Sequence, residues 1–162
     1  MEVYLIQHAQ AKSSEEDPAR PLAEAGEAAA RRVAGHAART GVKIERIYHS
    51  GRQRAQQTAE ILANALGVER IEAKVGLNPS DDVAPVKGWL DELAAEGARS
   101  LAIVGHLPFL DKLASLLVAG SAEAQVATFQ NAGIVKLIPK PSGTGYCVHW
   151  ILTPDLAQPS PD

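Results

Sequence analysis

Along the chain, short apolar runs alternate with longer stretches in which apolar positions recur at helical spacing. Val3–His8 is rich in β-branched and aromatic side chains and reads as a buried strand ending at His8. The polar, aperiodic segment from Ala9 to Pro21 predicts a loop. Leu22–Thr40 is dominated by Ala, Glu and Arg, with Val33 and several alanines forming an apolar stripe and Gly41 placed as a C-terminal cap, so it predicts a helix. Arg46–His49 predicts a second strand. Ser50 is positioned to N-cap a helix over Arg52–Leu66 that stops at Gly67.

The second half repeats this alternation. Glu69–Val75 predicts a strand, Asn78–Pro85 a loop opening a helix that runs to about Glu96, and Ser100–Val104 a strongly hydrophobic strand that delivers His106. Pro108–Val118 predicts a helix with proline in its first turn. Two extended runs, Gly133–Pro139 and Gly145–Thr153, are separated by Pro-Ser-Gly-Thr-Gly and fit a hairpin. Strands alternating with helices imply parallel strands joined by crossovers. The expected architecture is therefore α/β: a three-layer αβα sandwich with a mostly parallel central sheet. One domain is expected over residues 1–156, with 157–162 a flexible, frayed tail.

Composition narrows the function classes. With 162 residues, 46% of them hydrophobic, the chain can bury a substantial core. A formal net charge of −3 and the lack of a basic stripe argue against nucleic acid and against an anionic membrane, so any anion site is local. No apolar run approaches the roughly 20 residues that span a bilayer. The lone Cys147 cannot form an internal disulfide and reads as a buried small hydrophobe, and the opening residues lack the basic and apolar regions of a signal peptide. A soluble, cytoplasmic protein is expected.

In open α/β sheets ligands bind beyond the carboxyl ends of the strands, so polar groups there carry functional weight. Strand one ends in Gln7-His8. Strand two ends in His49-Ser50, followed by Gly51-Arg52-Gln53-Arg54, and strand four in Gly105-His106, followed by Leu107-Pro108. Together they offer two histidines and two arginines that could converge on one anion. Arg54, in the first turn of a helix, sits where the helix dipole disfavours a cation unless an anion compensates.

These pieces resemble the motifs of the histidine phosphatase (phosphoglycerate mutase-like) superfamily. Leu5-Ile6-Gln7-His8-Ala9 resembles its Arg-His-Gly signature, and Ser50 to Thr58 resembles its Ser-Pro-x-x-Arg-Ala-x-Gln-Thr helix start. Val104-Gly105-His106-x-Pro108 resembles the second-histidine motif, and Arg20-Pro21-Leu22-x-x-x-Gly26 adds a fourth match. The matches span residues 2 to 139 in order, at the separations of the short SixA-type phosphohistidine phosphatases. The resemblance implies that a neutral imidazole nitrogen of His8 attacks phosphorus and forms a covalent phosphohistidine that water hydrolyses. Arg54 would clamp the phosphoryl oxygens with planar donors, and His106 would be the second donor or cation. Such a site implies neither a cofactor nor a metal. The implied partners are a phosphohistidine protein or a small phosphorylated substrate, and inorganic phosphate.

This chain departs from the signature at Gln7, where the family has arginine, and at Ala9, where it has glycine. Gln keeps a donor and loses the charge. A charge-assisted hydrogen bond is worth about 1.5–3 kcal/mol, so its loss in the transition state slows the reaction roughly 10- to 150-fold. Lys12, Arg20 and Arg52 lie in or beside the motif loops, and Arg20 or Arg52 is expected to replace part of the missing charge and complete the phosphate-binding set Gln7, His8, Arg54 and His106. Only Asn78–Asp82 offers an acidic candidate for protonating a leaving group. A labile P–N bond needs little such help, which favours phosphohistidine over an ester, and the short chain has no insertion to form a lid. The rival readings are a phosphate- or phosphohistidine-binding module inactivated through Gln7, and a phosphatase for a small metabolite.

The other candidates have plain readings. Ser50 reads as an N-cap rather than a nucleophile, His49 as pocket-edge or structural, His36 as solvated and His149 as structural. Trp89 and Trp150 read as core anchors.

Overall fold

The computed structural model describes residues 1–161. In chain order its elements are β1 (Glu2–Gln7), α1 (Glu24–Arg39), β2 (Arg46–His49), α2 (Gln53–Leu66), β3 (Arg70–Ala73), α3 (Ala84–Ala95), β4 (Ser100–Gly105), α4 (Phe109–Ala119), β5 (Ile134–Pro139) and β6 (Tyr146–Leu152). The strands form one sheet in the order β3-β2-β4-β1-β5-β6. β3, β2, β4 and β1 run parallel, whereas β5 is antiparallel to β1 and β6 antiparallel to β5.

The sheet is thus mixed, not mostly parallel as the alternation suggested, and the connections explain why. After α4 the chain returns to the carboxyl end of β1 through the irregular segment 120–133, where the Ala132 N–H donates to the Gln7 carbonyl at 2.9 Å. A strand starting there can run only antiparallel to β1. The six residues between β5 and β6 are then too few for a crossover and make a hairpin.

Alternation along the strands assigns the two faces. Tyr4 and Ile6 of β1 pack with Val33, Ala34, Ala59 and Leu62 of α1 and α2. Val3 and Leu5 pack with Leu90, Leu110 and Leu113 of α3 and α4. All six residues of β4, between β2 and β1, are buried. The motif glycine Gly26 has a steric origin: a Cβ there would lie 2.0 Å from the Gln10 carbonyl oxygen, so only glycine lets α1 approach the loop that follows His8.

Both tryptophans make edge contacts with tyrosines, Tyr48–Trp89 at 4.7 Å and Tyr4–Trp150 at 6.0 Å between ring centroids. Cys147 is half-buried rather than buried, and His149 is exposed. Sequence marked the residues from Ala157 as frayed, yet Ala157 is buried. Arg39 donates to the Gln158 carbonyl at 2.6 Å and to Ser160 Oγ at 3.1 Å. His36, expected to be solvated, is half-buried and accepts the Gln158 N–H at 3.1 Å. Among the described residues no helix is long and apolar enough to cross a membrane.

Candidate active site

β1 and β4 are neighbours with Gln7 opposite Gly105, so the residues that follow, His8 and His106, emerge side by side. The His8 N–H donates to the Gly105 carbonyl at 3.0 Å, and the two imidazoles lie 5.0 Å apart, centroid to centroid. β2 flanks β4 on the other side with His49 opposite Val104, which brings Ser50 to the same edge. A turn at Gly51 (φ 89°) leads into α2, and Arg54 in its first turn is buried.

The His8 ring has a defined tautomer. Its Nδ1 lies 2.7 Å from the Ala9 carbonyl oxygen, which can only accept, so the proton sits on Nδ1 and Nε2 keeps a free lone pair. Burial pushes the His8 pKa below its ordinary 6.5 against the pull of that carbonyl, and the charges of Arg54 and Arg20 push the same way. Burial first, then His8, Arg54, Arg52 and Arg20, push His106 down to about 3. Both imidazoles are therefore neutral at pH 7.

Arg54 is the cation nearest to needing a ligand. Its Nε is buried with no partner among the described residues, and burial together with the like charges of Arg20 and Arg52 lowers its pKa. A buried guanidinium N–H without an acceptor is costly, and an oxyanion would satisfy it. Neutral histidines thus stand beside crowded arginines at the carboxyl end of the sheet, a donor set that suits an oxyanion.

Residues 3–81 match the model of the histidine phosphatase superfamily (branch 1). The phosphohistidine phosphatase SixA of Escherichia coli is 30% identical over 156 residues, covering 95% of this chain and 94% of that protein. The chain belongs to the histidine phosphatase superfamily. An uncharacterized protein of Picosynechococcus is 33% identical over 140 residues, 85% of this chain and 84% of its own. A solved structure of the protein histidine phosphatase SixA complexed with tungstate superposes with a TM-score of 0.85 at 29% identity, covering 96% of this chain and 98% of that one.

The family's motif residues have visible jobs in this histidine phosphatase. Thr58 Oγ1 accepts the buried Ala9 N–H at 3.0 Å and donates to the Arg54 carbonyl at 2.8 Å, tying the loop after His8 to the first turn of α2. Gln57 Oε1 accepts the Leu22 N–H at 2.8 Å, pinning the far end of the same loop. Neither was singled out from sequence, although both lie in the motif. Asn131, which no local pattern marks, donates from Nδ2 to the His8 carbonyl at 2.8 Å.

Gln7 is half-buried, and its side-chain amide has no hydrogen-bond partner among the described residues. Arg20 adopts a left-handed backbone (φ 49°) and its Nε donates to the Lys12 carbonyl at 3.1 Å, while Arg52 Nε donates to Asn78 Oδ1 at 3.2 Å. The charges of both reach Arg54 and His106, and that of Arg20 also reaches His8. In the acidic loop, Asp81 accepts the Asn78 N–H at 2.8 Å and Asp82 the Ala84 N–H at 3.0 Å, so both carboxylates serve local turns. His49 likewise holds the turn, accepting the Gly51 N–H at 3.1 Å on Nδ1.

Ser50 corrects its sequence reading. Arg52 is the N-cap residue of α2 and no side chain caps that helix; Ser50 Oγ instead lies 2.6 Å from His106 Nε2. Immediately after His106, Leu107 and Pro108 line an open groove of about 440 Å³ with Asp111, Gln125 and Phe129.

Proposed function

We propose that this histidine phosphatase removes the phosphoryl group from phosphohistidine on a protein, with His8 as nucleophile. The observation that carries the reading is the pairing of a His8 ring whose Nδ1 proton is held by the Ala9 carbonyl, leaving Nε2 deprotonated, with a nearby Arg54 whose buried Nε has no partner among the described residues. His8 Nε2 attacks phosphorus, the P–N bond to the substrate imidazole breaks, and the leaving nitrogen takes up a proton. Water then cleaves the His8–phosphoryl bond and releases inorganic phosphate. Arg54 holds equatorial oxygens through planar donors, and Arg20 and Arg52 supply charge that Gln7 does not.

Three features support this substrate class over a phosphate ester. The carboxylates of the acidic loop, Asp81 and Asp82, are engaged in local turns, and a phosphoramidate has least need of a leaving-group acid. The open groove next to His106 suits a polypeptide. The relatives include a phosphohistidine phosphatase and one solved with tungstate, a tetrahedral oxyanion.

The test is phosphate release from a phosphohistidine peptide, with rapid quenching and mass spectrometry of the peptide that contains His8. Turnover, a transient phosphoryl group on His8 and complete loss in His8→Ala are expected. Turnover surviving in His8→Ala would sink the nucleophile assignment. Phosphate binding without turnover would leave a binding module, and preference for small esters a metabolite phosphatase.

A further inference from the structure

The chemistry above leaves the Ser50–His106 contact without a task. Ser50 is half-buried, and its hydroxyl points at the second histidine of the site rather than into the helix it precedes. Its oxygen also receives the Arg52 N–H at 3.3 Å. Among the described residues the only acceptor within reach of the hydroxyl proton is His106 Nε2. His106 is 2% exposed, and the titratable groups that face it are the neutral His8 at the end of β1 and three cations: Arg52 and Arg54 at the start of α2, and Arg20 in the loop after His8. A neutral ring there carries one proton, and which nitrogen holds it decides what the ring offers a ligand.

Nε2 is committed to Ser50, and Nδ1 has no partner among the described residues, so Nδ1 is the nitrogen left for a phosphoryl oxygen. That oxygen only accepts. A bare lone pair on Nδ1 would repel it, whereas Nδ1–H would bind it, and Nδ1–H in a neutral ring requires Nε2 to accept from Ser50. We propose that Ser50 is a positioning residue that donates Oγ–H to His106 Nε2 and so presents His106 to the phosphoryl group as a neutral Nδ1–H donor. The two histidines then hold the same tautomer for opposite ends. A carbonyl on Nδ1 of His8 frees Nε2 for phosphorus, and a hydroxyl on Nε2 of His106 frees Nδ1–H for oxygen. All positive charge at the phosphoryl group then comes from arginine. The role of Ser50 as a partner in turnover rests on the phosphatase reading, but the tautomer itself does not.

The experiment is two-bond ¹H–¹⁵N NMR on full-length protein labelled at histidine, near neutral pH, with and without inorganic phosphate, using a His106→Gln spectrum for assignment. His106 is expected as the Nδ1–H tautomer, still neutral when phosphate is bound. Ser50→Ala should move the ring toward Nε2–H and weaken phosphate inhibition about tenfold, the scale of one lost hydrogen bond. Ser50→Thr, which keeps the hydroxyl, should preserve both the tautomer and the affinity. An Nε2–H ring or an imidazolium in the wild-type phosphate complex overturns the proposal, as does an unchanged tautomer in Ser50→Ala or a changed one in Ser50→Thr. If Ser50→Ala does not fold, the wild-type and Ser50→Thr spectra decide. Because the spectra read the ring without turnover, their outcome is independent of whether phosphohistidine is the substrate.

Discussion

Restoring arginine at position 7 tests how this site is charged. Gln7 ends β1, precedes His8 and faces Gly105 across the ladder. A guanidinium there would gain a charge-assisted contact to the phosphoryl group worth about 1.5–3 kcal/mol, an upper bound of roughly 10- to 150-fold in rate. Against that stands crowding, since Arg54 already feels Arg20 and Arg52. A like-charge pair costs about 4 kcal/mol at about 4 Å with an effective dielectric near 20, and less with distance. The cost falls on the empty site and is offset once a phosphoryl dianion arrives. Gln7→Arg should therefore raise kcat/KM on a phosphoramidate about tenfold, the low end of that range. It should also lower stability without phosphate by about 1–2 kcal/mol, a Tm drop of about 2–8 °C. Saturating phosphate should restore most of it, because ligand at about 100 Kd contributes about 2.7 kcal/mol. Phosphate-release kinetics and thermal melts with and without phosphate measure both. Unchanged or slower turnover with an unchanged melt would refute the argument, showing that position 7 does not act on the reacting group.

Arg54→Lys replaces a planar fork by a point charge and should lower kcat/KM about a hundredfold, at the low end of the cost of removing an oxyanion donor, with circular dichroism unchanged. Thr58→Val keeps shape but leaves the buried Ala9 N–H unpaired, so urea denaturation should show a loss of about 1–3 kcal/mol, with a fall in kcat as the loop after His8 loosens. Burial holds His8, His49 and His106 below the ordinary 6.5, so the unfolded chain binds more protons than the native one just below that pH. Stability should be fully present above pH 6.5 and fall as pH drops below it, and His106→Gln should flatten that fall in denaturant titrations at stepped pH. Since His8 attacks as the neutral ring, kcat/KM should be flat around neutrality and decline only at acid pH.

The alternation of apolar runs and periodic stretches made most of the fold legible, because each run buries itself against a neighbour in chain order. Strand direction at the edge was not legible. It depends on where the aperiodic segment 120–133 delivers the chain, and no pattern in those residues says so. The convergence of His8, Arg54 and His106 was readable because they stand at strand ends or a helix start. Ser50 misled because a serine before a helix fits an N-cap locally, while its actual partner lies 56 residues away. Asn131 reaches His8 across 123 residues, and a lone asparagine in a loop signals nothing. The docking of Gln158 and Ser160 on α1 rests on three hydrogen bonds in a segment too short to show a period.

The pairing of Gln7 with Gly105 has a consequence for how such an enzyme can diversify. The separation of the two histidines is written in backbone rungs, and a slip of one residue would shift one of them by about 3.3 Å and turn its side chain to the other face. The walls around them come from elsewhere: residues 9–21, 74–83 and 120–133, all outside the strands. Reaction and recognition are thus stored in different kinds of structure. The loops can be lengthened, recharged or exchanged to suit a new partner while the distance between His8 and His106 stays fixed by the sheet.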